Sequence, residues 1–426
     1  MNEALQNLPP GTRSPYIICR NYQHLATAIA KSVHGPPTTR VSEDEESITF
    51  REKTLHIPTW RAALTKLVAE VKDELDALCY GDELGLVVPR DVPDDWSDES
   101  RGYSWTNNDP NRFGLKNGKP LLYRMLQDSE LELGQVIQGK LRLSVFAIES
   151  IPERCNKICE KLFLLVFFTA GQAPRVSEIG DYKHANSTRG RNMFNHDGAV
   201  WFLNRRVKYE TLLRRESSIA SKASKPVTML LQKFFLLVRP LEKELTYHLP
   251  LESSDREKAR QIYTEYMWVQ SGVKMTAMDL RKSISTFLQT ECGVAIGPRS
   301  YRQICVEIGR VYLGSEVEIE AEELDLLAVQ MGHSLQMARS HYASEVGHQP
   351  GMSSDLLLRY GRIAEAWWEA IGLKTGAPPL QPLRLRRRLA AETAIEHQQT
   401  LKDLLTLIGS LRDEIKSLKA ARSPSV

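Results

Sequence analysis

Residues 331–342 read Met-Gly-His-Ser-Leu-Gln-Met-Ala-Arg-Ser-His-Tyr, so Gly332-His333-Ser334 precedes Tyr342, with His333 and Tyr342 nine positions apart. A histidine and a tyrosine at that distance are ordinary structural residues when they stand alone. The chain upstream gives them weight. An apolar run, Leu162 to Ala170, ends in Gly171-Gln-Ala-Pro and then Arg175, with Glu178 and Ile179 after it. Arginine suits phosphate because its planar fork grips two oxygens and never loses its charge. Glu178, one helical turn on, is spaced to orient that fork. Further along, residues 199–209 (AVWFLNRRVKY) alternate and are rich in aromatics, and Asn195-His196-Asp197-Gly198 before them is a turn signal. This pattern predicts a β-hairpin, with Arg205, Arg206 and Lys208 at its far end.

Charge adds a second, weaker indication. The 426 residues carry a net charge of only +3. Residues 175–225, however, hold eleven Lys/Arg against five Asp/Glu. A locally basic stretch on a near-neutral chain is the footprint of a phosphate-binding face; a merely solvated surface would look the same by charge alone. The N-terminus lacks a signal-peptide pattern, and the longest apolar run is too short to span a bilayer, so no membrane partner is expected. Six scattered cysteines make no zinc pattern, which predicts buried reduced thiols and no metal site. His184 and His196 flank the basic loop and read as solvated loop histidines.

Taken together these motifs resemble the tyrosine recombinase (phage-integrase) family. The shared features are Arg175-x-x-Glu178 after a small-residue turn, a lysine on a hairpin, and Gly-His-Ser followed nine residues later by Tyr342. Within that family the chain is most similar to Crypton-type transposon recombinases and to recombinase-like domains attached to some fungal helicases. The resemblance covers about residues 160 to 370. No GxxxxGK[ST] loop occurs, so no helicase motor is present.

The resemblance implies a mainly α fold with a small antiparallel β-sheet: a helical core-binding domain, then the integrase-type catalytic domain, closing as a C-shaped clamp on double-stranded DNA. It implies DNA cleavage and rejoining through a 3′-phosphotyrosyl intermediate, without metal, ATP or other cofactor. Tyr342 would be the nucleophile, Arg175 and His333 would hold the scissile phosphate, and Lys208 would protonate the leaving 5′ oxygen. The family's His-x-x-Arg string is absent. Arg302, in Arg-Ser-Tyr-Arg-Gln-Ile, precedes His333 by 31 residues, and Arg281, in Met-Asp-Leu-Arg-Lys, precedes it by 52. The shorter spacing favours Arg302 as the second catalytic arginine; the Asp-Leu-Arg string keeps Arg281 as the alternative. On the Arg302 alignment, Arg299 stands where the family has its first histidine. Arg189, Arg191, Arg205, Arg206 and Arg299 are expected to contact the DNA backbone. The assembly implied is a dimer on each site and a tetramer at synapsis, working in the nucleus of a eukaryote or otherwise in the cytoplasm. The competing reading is a domesticated DNA-binding protein that kept the fold and lost the chemistry.

Periodicity gives the remaining expectations. Helices are predicted over 15–33, 58–79, 117–128, 152–169, 226–239, 254–271, 276–290, 299–313, 321–331 and 353–370, with 34–47 as a linker and 85–115 irregular. Trp367-Trp368 reads as packing. These divide the chain into an N-terminal clamp (1–150), a catalytic domain (151–375) and a linker with a C-terminal coiled-coil helix (376–426). In the last, Leu401, Leu404, Ile408, Leu411, Ile415 and Leu418 recur at alternating steps of three and four, a heptad seam that points to self-association. Arg384 to Arg388 reads equally as a charged linker, a nuclear import patch or a DNA-contacting arm.

Overall fold

The computed structural model describes residues 22–23, 38–81, 92–107, 118–138, 140–171, 173–205, 218–248, 252–313, 354–374 and 376–421. It is mostly helical, with small antiparallel sheets. Three short strands, β1 (Thr39–Val41), β2 (Ser47–Phe50) and β3 (Lys53–His56), form an antiparallel sheet. β1 and the first residue of β2 fall within residues 34–47, the segment expected to be a linker. α1 (Ile57–Cys79) follows at once, with Pro58 in its first turn and Tyr80 in the left-handed conformation closing it. Its buried residues Trp60, Leu64, Leu67, Val71, Leu75 and Leu78 form the stripe that the sequence spacing requires.

α2 (Lys119–Gln127) leads to a two-stranded hairpin, β4 (Gly134–Ile137) and β5 (Lys140–Leu143), which the sequence reading missed. α3 (Val145–Thr169) comes next and is the central helix. Residues 162–168 of α3 are all buried, so this end is enclosed on every side. The boundary expected at residue 150 falls inside α3. α1 and α3 pack on one another, and one hydrophobic cluster runs from Ile48 to Leu373. The N-terminal helix α1 therefore shares the core of the rest.

A four-residue turn of helix, α4 (Val176–Ile179), precedes the three-stranded sheet β6 (Met193–His196), β7 (Ala199–Arg205) and β8 (Ser218–Lys222). The β6–β7 hairpin turns on Asp197 and Gly198, both at positive φ, as a two-residue turn matched to strand twist demands. α5 (Lys225–Lys233) continues through a π-helical turn (Phe234–Val238) into α6 (Arg239–Leu245). α7 (Ser253–Glu265) ends earlier than the periodicity suggested, because residues 269–270 pair with 273–274 as the hairpin β9–β10. α8 (Ala277–Cys292) and α9 (Pro298–Ile308) follow, and α9 runs into a π-helical turn (Gly309–Leu313). α10 (Ser354–Ile371) and the long α11 (Leu383–Ala421) complete the described chain. The helices expected over 15–33 and 321–331 lie outside the described residues, apart from 22–23, which are helical. None of the described helices is long and apolar enough to cross a membrane.

Aromatic rings tie the layers together. Trp60 of α1, Phe167 and Phe168 of α3, and Trp367 of α10 surround the buried Tyr301 of α9 or its neighbours, at centroid distances from 4.9 to 6.4 Å. Each such pair adds about 0.5–1.5 kcal/mol beyond area burial. Cys79, Cys155, Cys159 and Cys305 are free and buried, as expected of reduced thiols, and Cys292 is half-buried.

Two buried ion pairs lie away from the aromatic cluster. Arg239 and Glu242 of α6 meet at 3.0 Å, and both are almost fully buried. An Arg239 Nη2 donates to the Met267 carbonyl at 2.5 Å, and the guanidinium lies over Phe234, Phe235 and Tyr263. Burial pushes the Glu242 carboxyl up to about 7, outweighing the pull of Arg239. The folded form thus holds its proton at pH values where the unfolded chain, with an ordinary value of 4.5, has lost it. Glu242 should therefore lower stability as pH rises from 4.5 to about 7. Glu242→Gln, which keeps the side chain neutral at every pH, should match wild type near pH 4.5 and become the more stable of the two as pH rises to about 7, measured by urea unfolding at each pH. A difference that stays constant, or that turns in favour of wild type across this window, would contradict the assignment.

Candidate nucleic-acid interface

The turn carrying Arg175 is held from three sides. The buried end of α3 leaves carbonyl groups that no intrahelical partner can satisfy. Trp367 Nε1 donates to the Phe168 carbonyl and Trp368 Nε1 to the Thr169 carbonyl, each at 3.2 Å. The indole pair read as packing thus also caps α3. Gly171 follows at φ +114°, a conformation that favours glycine and turns the chain out of the helix. Arg302 of α9 reaches in from another side: its Nε donates to the carbonyl of buried Ala173 at 3.0 Å.

Arg175 itself stands at the N-cap of α4 in extended conformation. Its Nη1 donates to Glu178 Oε1 at 2.7 Å, and its backbone N–H donates to Glu178 Oε2 at 3.2 Å. One carboxylate therefore fixes both the backbone and the guanidinium, which remains part-exposed (30%). The pairing of Arg175 with Glu178 expected from sequence is present.

The third side is α8. Thr276 caps this helix with Asp279, which accepts from both the Thr276 backbone N–H (2.8 Å) and its hydroxyl (2.7 Å). Leu280 lies so close to Gly180 that a Cβ there would meet its Cδ1 at 3.0 Å. The first turn of α8 is thus seated on the end of α4. Arg281, the next residue, is exposed and makes no hydrogen bond or ion pair with any described residue. Arg299, at the start of α9, is likewise exposed without such a partner among the described residues. The arginine that sequence spacing favoured, Arg302, is half-buried and braces the Arg175 turn. The alternative, Arg281, is exposed, without a hydrogen bond or ion pair to any described residue, on the helix seated against α4.

Arg191 requires a correction. It was expected on DNA, yet its side chain is 1% exposed and pairs at 2.8 Å with Asp94, which is fully buried. It also donates to the carbonyls of Asp95 (2.8 Å) and Asp98 (3.1 Å) and lies over the rings of Tyr103 and Phe194. Its charge is consumed in fastening residues 94–98 to the sheet. Lys183, also counted in the basic stretch, is buried against Glu265 at 3.0 Å. His184 is not a solvated loop residue either: it is buried, its Nε2 lies 3.0 Å from the Tyr263 carbonyl, and burial drives its pKa down to about 3. Arg189 is exposed, and His196 is exposed at the hairpin. Lys222, on β8, is a cation that sequence reasoning passed over. Its Nζ pairs with Glu365 at 2.9 Å between the rings of Trp201 and Trp368.

Lys208, Arg206, His333 and Tyr342 lie outside the described residues, as does the side chain of Arg205. Lys208 belongs to the connection between β7 and β8, and His333 and Tyr342 to the connection between Leu313 and α10. Among the described tyrosines, Tyr80, Tyr182, Tyr263, Tyr301 and Tyr312 all have hydroxyls raised by burial, which makes them poor nucleophiles. No group of three or more His, Cys, Asp or Glu side chains able to hold a metal ion occurs among the described residues. No family model matches the chain, and no solved structure matches it.

The three arginines should separate by stability. Arg302→Met leaves the Ala173 carbonyl without its donor and should cost about 1–3 kcal/mol. Arg191→Met strands the Asp94 carboxylate and should cost about 3–5 kcal/mol. Arg281→Met should unfold with wild-type midpoint and slope. Urea denaturation of the three variants measures this; an Arg302→Met protein as stable as wild type would show that the brace is not needed.

Proposed function

We propose that this chain is a tyrosine recombinase that cuts and rejoins double-stranded DNA through Tyr342, in a mobile element or in a gene derived from one. The observation that carries the reading is the Arg175 turn: a part-exposed guanidinium, aimed by Glu178, beside a helix whose second turn carries Arg281, a cation with no partner among the described residues. Two cations on adjoining rigid elements suit one phosphodiester. The order along the chain agrees, with the Lys208 connection after Arg175 and the His333–Tyr342 segment after both arginines.

In this mechanism the Tyr342 oxygen attacks the scissile phosphorus, and the bond to the 5′ oxygen of the next nucleotide breaks. Arg175, Arg281 and His333 neutralise charge that builds on the non-bridging oxygens. A phenol of ordinary pKa near 10 needs such a positive field to react at neutral pH, and it gives its proton to solvent water as the bond to phosphorus forms. Lys208 gives the leaving 5′ oxygen its proton. The 3′-phosphotyrosyl bond keeps the energy of the broken one, so a 5′ hydroxyl can reverse the step without ATP. Arg281 rather than Arg302 takes the second phosphate contact in this scheme. Arg302 is a positioning residue, because it acts through the Ala173 carbonyl.

A second reading has one observation in its favour. Met278, 76% exposed, stands three residues before Arg281, where the resembled family has a histidine. A methionine cannot serve as a base, which fits a protein that binds DNA without cutting it. Nicked duplexes with randomised cores and a 5′-labelled upstream strand distinguish the two. Wild type should give a labelled covalent adduct in denaturing gels, Tyr342→Phe none, and Arg281→Met roughly a hundredfold less, as for loss of one transition-state donor. Duplex binding with no adduct from wild type would establish the second reading. An adduct unchanged in Arg281→Met would return the second contact to Arg302.

A further inference from the structure

We infer that α11 is one strand of a parallel two-stranded coiled coil, pairing this chain with a second copy so that both bodies sit at the same end of the zipper. The base of the helix is fastened. Arg386 Nη2 donates to the Tyr312 carbonyl at 2.9 Å and its Nε to the Gln381 carbonyl at 3.0 Å, while Arg384 pairs with Glu45 at 3.2 Å. Arg61 secures the approach by donating to the carbonyls of Ala370 (2.7 Å) and Leu380 (2.9 Å). Of the arginine run, Arg384 and Arg386 thus anchor the arm.

Beyond that base, every described side chain from Leu389 to Ser417 is exposed. At 1.5 Å per residue this is a rod of about 40 Å that packs on none of the other described residues. Such a helix gains nothing from packing in a single copy, and Gly409 in its middle costs about 1 kcal/mol relative to alanine. Leu404, Ile408, Leu411 and Ile415 are each 48–58% exposed along one face. A partner must cover them.

The sequence of the seam names that partner. With Leu401 at position a, the a residues are Leu401, Ile408 and Ile415, and the d residues are Leu404, Leu411 and Leu418. Isoleucine at a with leucine at d is the combination that favours two parallel strands. The flanks agree. Glu414 falls at g and Lys419 at e, so parallel copies set Glu414 of each against Lys419 of the other. An antiparallel pair with its seam in register would instead bring Leu405 near Arg412 and Leu407 near Glu414, which forfeits both ion pairs. Between the anchor at Arg386 and the first seam residue, Leu401, lie fourteen residues that include Ala390, Ala394 and His397 at the inward positions. That weak stretch holds the zipper about 20 Å from the bodies. A parallel zipper has its two-fold axis along its length, so the paired bodies are related by that axis. On the recombinase reading this presents two Arg175 sites to inverted half-sites of one duplex.

The full chain, without DNA, tests the pairing. Sedimentation equilibrium at micromolar concentration should give twice the chain mass. The double variant Ile408→Asp, Leu411→Asp should give half that, with an unchanged thermal transition of the body. Leu411→Cys, incubated with oxidised glutathione, should form a disulfide-linked dimer that wild type does not form. A monomeric wild type, a trimer or larger assembly, a dimer that survives the double variant, or a Leu411→Cys protein that fails to cross-link would each overturn the proposal. Because no DNA is present, these outcomes are independent of whether Tyr342 cleaves.

Discussion

The carbonyl groups at the end of α3 set the constraint on which the site depends. A helix that ends inside a core must find donors for its last carbonyls, or each costs as much as a lost hydrogen bond. Here the donors come from distant parts of the chain: two indoles of α10 and, just past the helix end, the guanidinium of Arg302. Satisfying these acceptors therefore forces α9 and α10 to converge on the one turn that carries Arg175. Glu178 then fixes the guanidinium with a single carboxylate. The turn is determined by its surroundings on every side, as a residue that must meet a ligand at fixed geometry requires.

Buried charge is used in two different ways. Arg191 with Asp94, and Arg239 with Glu242, fasten loops and helices together and are removed from solvent. Burial raises the Asp94 carboxyl despite its partner, a sign that desolvation is the larger effect there. Arg175 and Arg281 keep water contact, and Arg281 has no counter-ion among the described residues. In the reading proposed above, Arg281 can take a phosphate without first giving up an ion pair to a described residue, whereas Arg175 keeps its pairing with Glu178. Net charge could not distinguish the two groups. The basic stretch 175–225 contains both kinds.

What the sequence made legible follows from how local each signal is. α1 and the β6–β7 hairpin were readable because a 3.6-residue stripe and an Asp-Gly turn are complete within a few residues. The Arg175–Glu178 pair was readable for the same reason. β1 and the start of β2 were missed because proline, serine and acids over 34–47 resemble a linker, and all three strands, three or four residues long, carry too few alternations to show a period. β4–β5 had a usable signal, a two-residue Gln-Gly connection between Val136-Ile137 and Lys140-Leu141, and it was passed over. The fate of Arg191 and His184 was not legible at all. Their partners, Asp94 and Tyr263, lie 97 and 79 positions away, and composition says nothing about contacts at that range.

The π-helical turn at 309–313 joins the end of α9 to the base of α11. Tyr312 is buried, its hydroxyl donates to the Glu45 carbonyl at 3.1 Å, and Arg61 lies over its ring at 4.5 Å. Its own carbonyl accepts from Arg386 at the base of α11. π-helical turns interrupt the regular ladder and are frequent where a helix serves a site. Here that turn fixes the point from which the chain departs toward His333 and Tyr342, and the carbonyl of Tyr312 fixes the base from which α11 departs. Tyr312 thus ties the base of the arm to the end of α9 through one hydrogen bond and one buried ring. If the arm pairs two copies and Tyr342 acts on DNA, assembly and the chain that leads on to residues 333–342 share Tyr312 as a common anchor.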